Sequence, residues 1–220
     1  IYREYEEQRK RRRKIDFDDM LVLCFQLFLS RPDVLRGWQK KFRYILIDEF
    51  QDINRIQYEI VRMLARPEDN LFIVGDDDQS VYRFRGAKPE IMLGFEKDYP
   101  DAERVLLNIN FRSTKDIVDT AGKLIAHNKT RFPKEIVTKQ GRGKPVVTRV
   151  WKDPQEETLE IVHEITDYTG AGYAWSDIAV LYRTNLGPRL LIEKLMEYNI
   201  PFCMKDAVPN LYDHWIAKNI

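Results

Sequence analysis

Apolar and polar positions in this chain follow two rhythms. Tyr44-Ile45-Leu46-Ile47 is a short apolar run that ends abruptly in Asp48-Glu49. A run this short, with β-branched residues, predicts a strand buried on both faces, as in a parallel sheet. Behind it Ile53, Ile56, Ile60 and Leu64 recur at spacings of three and four, which predicts one face of a helix. The form returns at Leu71-Phe72-Ile73-Val74, followed by Gly75 and then the polar Asp76-Asp77-Asp78-Gln79. Two such strands are expected side by side in one sheet, with both polar ends on one edge. In open α/β sheets that carboxyl edge is where ligands bind.

The flanking segments are mostly helical in pattern. Residues 1–14 are charged, and Arg9 to Lys14 form a basic run that fits a solvated helix face, or a grip on phosphates. Asp16 and Asp19 have capping-box spacing. The helix after them carries Met20, Leu21, Leu23, Cys24, Leu27 and Phe28, apolar nearly all round, and burial is expected. Pro32 opens the next helix, where Val34, Leu35, Trp38 and Phe42 share a face. A strand around Val105–Asn110 leads to a turn, and Ser113 with Asp116 again resembles a capping box before Ile117, Val118, Ala121, Leu124 and Ile125.

Residues 130–145, rich in Lys, Gly and Pro, are expected to be a linker. Beyond them strands are expected at about 146–151, at Ile178 to Tyr182 and near Pro201 to Met204. Between these lie helices bearing Leu159, Val162 and Ile165, then Leu191, Ile192 and Leu195. Alternating strands and helices predict an α/β fold with parallel strands.

Composition narrows the partners. The formal charge of the 220 residues is only +1, so a nucleic-acid site must be a local patch. Two cysteines, Cys24 and Cys203, stand far apart, which fits a reducing compartment and argues against disulfides or a zinc site. No apolar run approaches the length of a membrane span. The chain opens at Ile1 inside a charged helical pattern and ends, from His214 to Ile220, in a helical one without a cap, so an excised piece of a larger protein is expected.

Four places carry candidate chemistry. Asp48 and Glu49 at a strand end can divide labour: one carboxylate holds Mg²⁺, the other orients or deprotonates a water. The same pair also fits a simple acidic turn or cap. Gln79 can accept from a water and donate to a phosphate oxygen, though taken alone it reads first as a turn glutamine. In Ser80-Val81-Tyr82-Arg83-Phe84-Arg85-Gly86-Ala87 aromatics alternate with arginines, as on a surface where bases stack and cations meet phosphates. An amphipathic strand has that composition too. Arg112, just before a helix, can stabilise charge developing on a triphosphate, or be a surface arginine. Phe111 beside it can stack on a base or fill core.

Assembled in order, these segments resemble the superfamily 1A DNA helicases of the UvrD/PcrA/Rep type over nearly the whole chain. Asp16-Phe17-Asp18-Asp19-Met20-Leu21 is similar to a signature upstream of the Walker B segment, and Asp48-Glu49-Phe50-Gln51-Asp52 to Walker B itself. Gly75 through Ala87 is similar to helicase motif III, Asn110-Phe111-Arg112-Ser113 to motif IV, and Tyr182-Arg183-Thr184-Asn185 to motif IVa. The resemblance implies parts of two RecA-like (P-loop NTPase) parallel-sheet domains, at about 1–105 with the end of a helical insertion and at about 106–220. It implies ATP and Mg²⁺ as cofactors, single-stranded and duplex DNA as partners, and possible repair or replication proteins. A cytoplasmic, nucleoid-associated location is implied with them.

Residue by residue, the resemblance gives Asp48 the Mg²⁺ and makes Glu49 the base for water. Gln79 senses the γ-phosphate, Arg112 is the arginine finger, and Phe111 stacks on adenine. Tyr82 and Phe84 stack on single-stranded DNA, with Arg85 and Asn185 close to the strand. The family's Gly-Lys-Thr phosphate loop does not occur in these residues, so the stretch alone is expected to hydrolyse little ATP. Two other readings are a subunit of a helicase–nuclease complex and a non-catalytic, helicase-like binding module. A metal-dependent nuclease built on Asp76, Asp77 and Asp78 is disfavoured here, on the expectation that consecutive acids cannot converge on one ion.

Overall fold

A computed structural model describes residues 1–184 and 186–205, with the side chain of Arg85 excepted. It divides into two compact units, residues 1–146 and 147–220.

The first unit opens with three helices: α1 (Tyr2–Arg11), α2 (Phe17–Ser30) and α3 (Pro32–Lys41). The expected capping box starts α2: Asp16 accepts from the Asp19 N–H at 2.9 Å, and Asp19 accepts from the Asp16 N–H at 3.1 Å. Arg9 does not point to solvent as the rest of its basic run does. Its guanidinium is drawn in among Glu6, Asp16 and Asp19, tying α1 to the start of α2. The expected burial of α2 fails in large part. Phe28 is buried, but Phe17, Met20, Leu23, Leu27 and Leu29 are exposed. The helix packs on α3 and on α4 (Arg55–Ala65), and an all-round apolar helix hides only the faces that meet a neighbour.

Strands β1 (Ile45–Ile47) and β2 (Leu71–Ile73) pair in parallel, Ile45 beside Leu71 and Ile47 beside Ile73. The pairing continues past both ends: the Val74 N–H donates to the Ile47 carbonyl at 2.8 Å and the Phe50 N–H to the Val74 carbonyl at 2.9 Å. The polar stretches after the two strands therefore leave the same edge, as expected. Phe50 explains the abrupt end of β1. Its ring is fully buried and meets Tyr58 and Phe95 edge-on, with centroids 5.9 and 5.7 Å away. Burying a side chain of this size contributes about 1.5–3 kcal/mol. A tight 3-10 turn, Phe50–Asp52, comes before α4, which begins at a second capping box between Asn54 and Gln57. Ile53, Tyr58, Ile91 and Phe95 complete the core, the last two on the short helices α5 (Pro89–Leu93) and α6 (Phe95–Asp98).

The remainder of this unit is β3 (Ile109–Asn110), α7 (Lys115–Ile125) and β4 (Val137–Thr138), with β3 and β4 parallel. Two expectations need correction. Residues 130–145 are not a linker: they contain β4 and are anchored through Arg131 and Lys134 to residues 76–78. The expected capping box of Ser113 and Asp116 is not formed. Asn110 Oδ1 takes the N–H groups of Arg112 and Ser113 at 2.9 and 2.8 Å, and Asp116 instead accepts from the Gly143 N–H at 2.9 Å.

In the second unit α8 (Pro154–Gly170) packs on α9 (Arg189–Glu197), burying Val162, Ile165, Leu191 and Leu195. Asp153 caps α8, accepting from the N–H groups of Gln155 and Glu156. The strands expected at 146–151, 178–182 and 201–204 form no ladder among the described residues. Apolar alternation records which side chains seek burial. A ladder additionally requires a neighbour in register, which these segments do not find. The observed class is α/β with small parallel sheets.

Candidate active site

Asp48 and Glu49 stand exposed at the carboxyl end of β1. Glu49 has φ 52° and ψ 39°, the left-handed region that a residue with a side chain seldom occupies. Such strain persists only where the surroundings enforce it, and it clusters at functional positions. Here the enforcement comes from both sides: the strand ladder before Glu49 and the buried Phe50 after it. Asp48 Oδ1 accepts from the Glu49 N–H at 2.9 Å.

Gln51 has a part that its place in the sequence does not reveal. It is 1% exposed, and its amide joins the two strand ends. Nε2 donates to Glu49 Oε2 at 2.7 Å, while Oε1 accepts from the Asp76 N–H at 3.0 Å. The Gln51 carbonyl also accepts from the Ser80 hydroxyl at 3.3 Å. A Cβ at Gly75 would lie 2.6 Å from Gln51 Oε1 and 3.1 Å from the Phe50 nitrogen. Glycine is thus what lets the loop after β2 approach the Gln51 amide and the turn after β1. Asp52, next in the turn, has one buried oxygen, Oδ1, without a hydrogen-bond partner. Burial and then the charge of Glu49 push its carboxyl above the ordinary value.

The loop after β2 is knotted around Asp76. Gln79 is exposed, and its Nε2 donates to Asp76 Oδ2 at 2.8 Å, so the candidate phosphate sensor is held within its own loop. Asp76 Oδ1 accepts from Lys134 Nζ at 2.6 Å. Lys134 Nζ also reaches Asp77 and, at 3.1 Å, Asp78. Arg131 grips Asp78 with two parallel bonds of 2.7 and 2.6 Å. Burial alone would raise Asp76 and Asp78, yet the bonds from Lys134, Gln79 and Arg131 outweigh it and hold both carboxyls below the usual range. The expectation that three consecutive acids cannot converge is corrected: an oxygen from each lies within 4.8 Å of the others. The Lys134 ammonium sits where they converge, and they serve as an anion cradle for a lysine.

Tyr82 and Phe84 follow in the same loop, exposed, with ring centroids 5.9 Å apart. The Arg85 side chain and Asn185, both sequence candidates for the DNA strand, lie outside the described residues. So does the segment from Ala207 to Trp215. Phe111 is 66% exposed, with Lys139 Nζ 5.6 Å from its ring centroid. Arg112 is exposed, and among the described residues no hydrogen bond or ion pair joins it to Asp48, Glu49 or Gln79. The structure therefore brings Glu49, Gln51, Asp76 and Gln79 into one bonded chain and leaves Arg112 outside it. What sequence reasoning did not assign is this connecting set: Gln51, Gly75, Lys134 and the part Asp76 plays between them. Only Gly75, falling directly after an apolar strand, carried a local signal.

The donors at the β1 end are carboxylate oxygens, the hard ligands that Mg²⁺ prefers, and Asp48 Oδ2 accepts no hydrogen bond among the described residues. The donor set fits that ion.

Two family profiles tile the chain. One, described as the UvrD/REP helicase N-terminal domain, matches residues 1–100, and the other, the UvrD-like helicase C-terminal domain, matches residues 105–219. The chain belongs to the UvrD-like helicase family. It is 44% identical over 220 residues to the Bacillus subtilis protein YjcD, covering all of this chain and 29% of that one. It is 42% identical over 205 residues to the ATP-dependent DNA helicase PcrA of Leuconostoc citreum, covering 93% of this chain and 27% of the relative. It is 40% identical over 220 residues to the PcrA of Staphylococcus epidermidis, again all of this chain and 30% of the relative. The chain thus spans under a third of the length of these relatives.

Proposed function

We propose that this chain is the part of an ATP-dependent DNA helicase that couples ATP hydrolysis to a hold on single-stranded DNA, within a protein translocating 3′ to 5′. In this reading residues 1–105 and 106–220 are parts of two RecA-like domains, and ATP binds between them. Asp48 would hold Mg²⁺, which when bound neutralises charge on the phosphates. Glu49 takes the proton from the attacking water, Gln79 donates to the γ-phosphate, and Arg112 meets the charge that develops there. Phe111 stacks on adenine. Tyr82 and Phe84 stack on bases, and Arg85 and Asn185 lie along the strand. Cytoplasmic, nucleoid-associated location and repair or replication partners belong to the same proposal.

The observation that carries it is the shared sheet edge. Glu49 is held in a strained backbone and tied through Gln51 to the loop that bears both Gln79 and the aromatics. A catalytic carboxylate and a DNA-contacting loop linked by one buried amide are what a motor needs and what a passive binding module has no use for. The test is Glu49→Gln in the full-length protein. ATP binding is expected to persist while DNA-stimulated hydrolysis falls to background. Hydrolysis at the wild-type rate would defeat the proposal.

A further inference from the structure

Lys134 is a cation held away from solvent. Its side chain is 7% exposed and its ammonium is surrounded by Asp76, Asp77 and Asp78. It comes from the segment matched by the C-terminal domain profile, whereas the three aspartates belong to the segment matched by the N-terminal one. Both lie in the first compact unit. The two oxygens of Asp76 are divided: Oδ1 takes Lys134 at 2.6 Å and Oδ2 takes Gln79 at 2.8 Å. Oδ1 also accepts from the Asp78 N–H at 3.1 Å. Lys134 therefore fixes the plane of the carboxylate that orients Gln79.

We propose that Lys134 is a positioning residue, acting through Asp76 on Gln79 and so coupling the DNA-facing loop to ATP hydrolysis. The inference rests on the helicase reading given above. The loop from Asp76 to Phe84 carries Gln79 near its root and the exposed aromatics at its far end. A root anchored by a buried ion pair moves as one piece, so a base stacked at Phe84 is felt at Gln79. Without the ammonium, three neighbouring carboxylates repel one another and the root loosens. Arg131 provides an internal comparison. It pairs with Asp78 and makes no bond to Asp76, so it stabilises the same cluster without touching the carboxylate that holds Gln79.

The experiment measures ATP hydrolysis by the full-length protein with and without single-stranded DNA. The readout is the ratio of the two rates. A simple loss of folded protein scales both rates and leaves the ratio alone. Lys134→Met is expected to lower the ratio about tenfold, within the usual size of coupling between two sites. Lys134→Arg is expected to restore most of it, and Arg131→Met to leave it unchanged. Should Lys134→Met fail to fold, Lys134→Gln, which keeps a donor without the charge, gives the same reading. An unchanged ratio in Lys134→Met or Lys134→Gln, a fall in Lys134→Arg as deep as in Lys134→Met, or an equal fall in Arg131→Met, overturns the proposal. A wild-type protein whose hydrolysis ignores DNA overturns the helicase reading and this inference with it, and that outcome is recognised before any variant is made.

Discussion

Gln51 donates its side-chain amide back to Glu49, with 2.7 Å between Nε2 and Oε2, from a position that is itself almost wholly buried. A surface carboxylate is thereby oriented from below by a group that cannot swing away. Replacing Gln51 by Leu keeps the volume but removes that donor and leaves the Asp76 N–H without its acceptor. A lost hydrogen bond to a charged group costs about 1.5–3 kcal/mol. If that loss is felt in the transition state, kcat for ATP hydrolysis in the full-length protein falls about tenfold to 150-fold. The Michaelis constant for ATP is expected to change little, since Gln51 is almost wholly buried and its amide is spent on Glu49 and the Asp76 N–H. Steady-state kinetics check this, and a kcat within twofold of wild type would show that Glu49 needs no such orientation.

Gly75→Ala tests the same junction from the backbone side. The added methyl would sit 2.6 Å from Gln51 Oε1 and 3.1 Å from the Phe50 nitrogen, and one of these is main chain. Overpacking of this kind costs about 1–3 kcal/mol. Chemical denaturation of the variant is expected to lose stability by that amount, with ATP hydrolysis falling as the Gln51 bridge is displaced. An alanine accommodated without cost would mean that the two strand ends can separate freely.

The parts of this arrangement differ in how far the sequence discloses them. The ends of β1 and β2 were legible because an apolar run stopping at charged residues is a local signal, and parallel pairing follows from two such runs in succession. The exposure of α2 was not legible, since apolar residues on every face state a preference for burial and not the presence of neighbours. Residues 130–145 looked like a linker because Lys, Gly and Pro are common in linkers. Lys134 instead finds Asp77, a partner 57 positions away, and no spacing rule reaches that far. The misread capping box at Ser113 has a different cause: Asn110 takes the same N–H groups first. For the candidate site, residue types and order singled out Asp48, Glu49 and Gln79, whereas the buried amide tying Glu49 to the loop of Gln79 became visible only with the fold.

The ion cluster around Lys134 sets a pH window. Asp76 and Asp78 are held below their ordinary value of 3.8, so their contribution is present above that value and is lost as pH falls through the depressed values. Burial pulls Lys134 down, but the three aspartates outweigh it and raise the ammonium above 10.5. Its contribution is therefore complete below 10.5 and lost as pH climbs past the raised value. The stability difference between wild type and Lys134→Met is expected to shrink as pH falls below about 4, where the aspartates of the folded wild type take up protons and the ammonium loses its partners. Urea unfolding in acid and at neutral pH checks it. A difference that is the same in both would mean that the aspartates do not hold the ammonium.

Phe84 offers the cleanest separation of DNA binding from stability. The residue is 78% exposed against 41% for Tyr82, so little of the core depends on it. Surface substitutions of this kind change stability by no more than about 0.5 kcal/mol. A base stacked on an aromatic ring is worth about 1–3 kcal/mol, and single-stranded DNA is therefore expected to bind Phe84→Ala about fivefold to 150-fold more weakly. Fluorescence anisotropy with a labelled oligonucleotide measures that loss, and nucleotide binding followed in parallel should stay at the wild-type level. Tyr82→Ala is expected to fall in the same direction by less, because more of its ring already faces protein. Equal affinity in wild type and both variants would remove the proposed stacking surface from this loop.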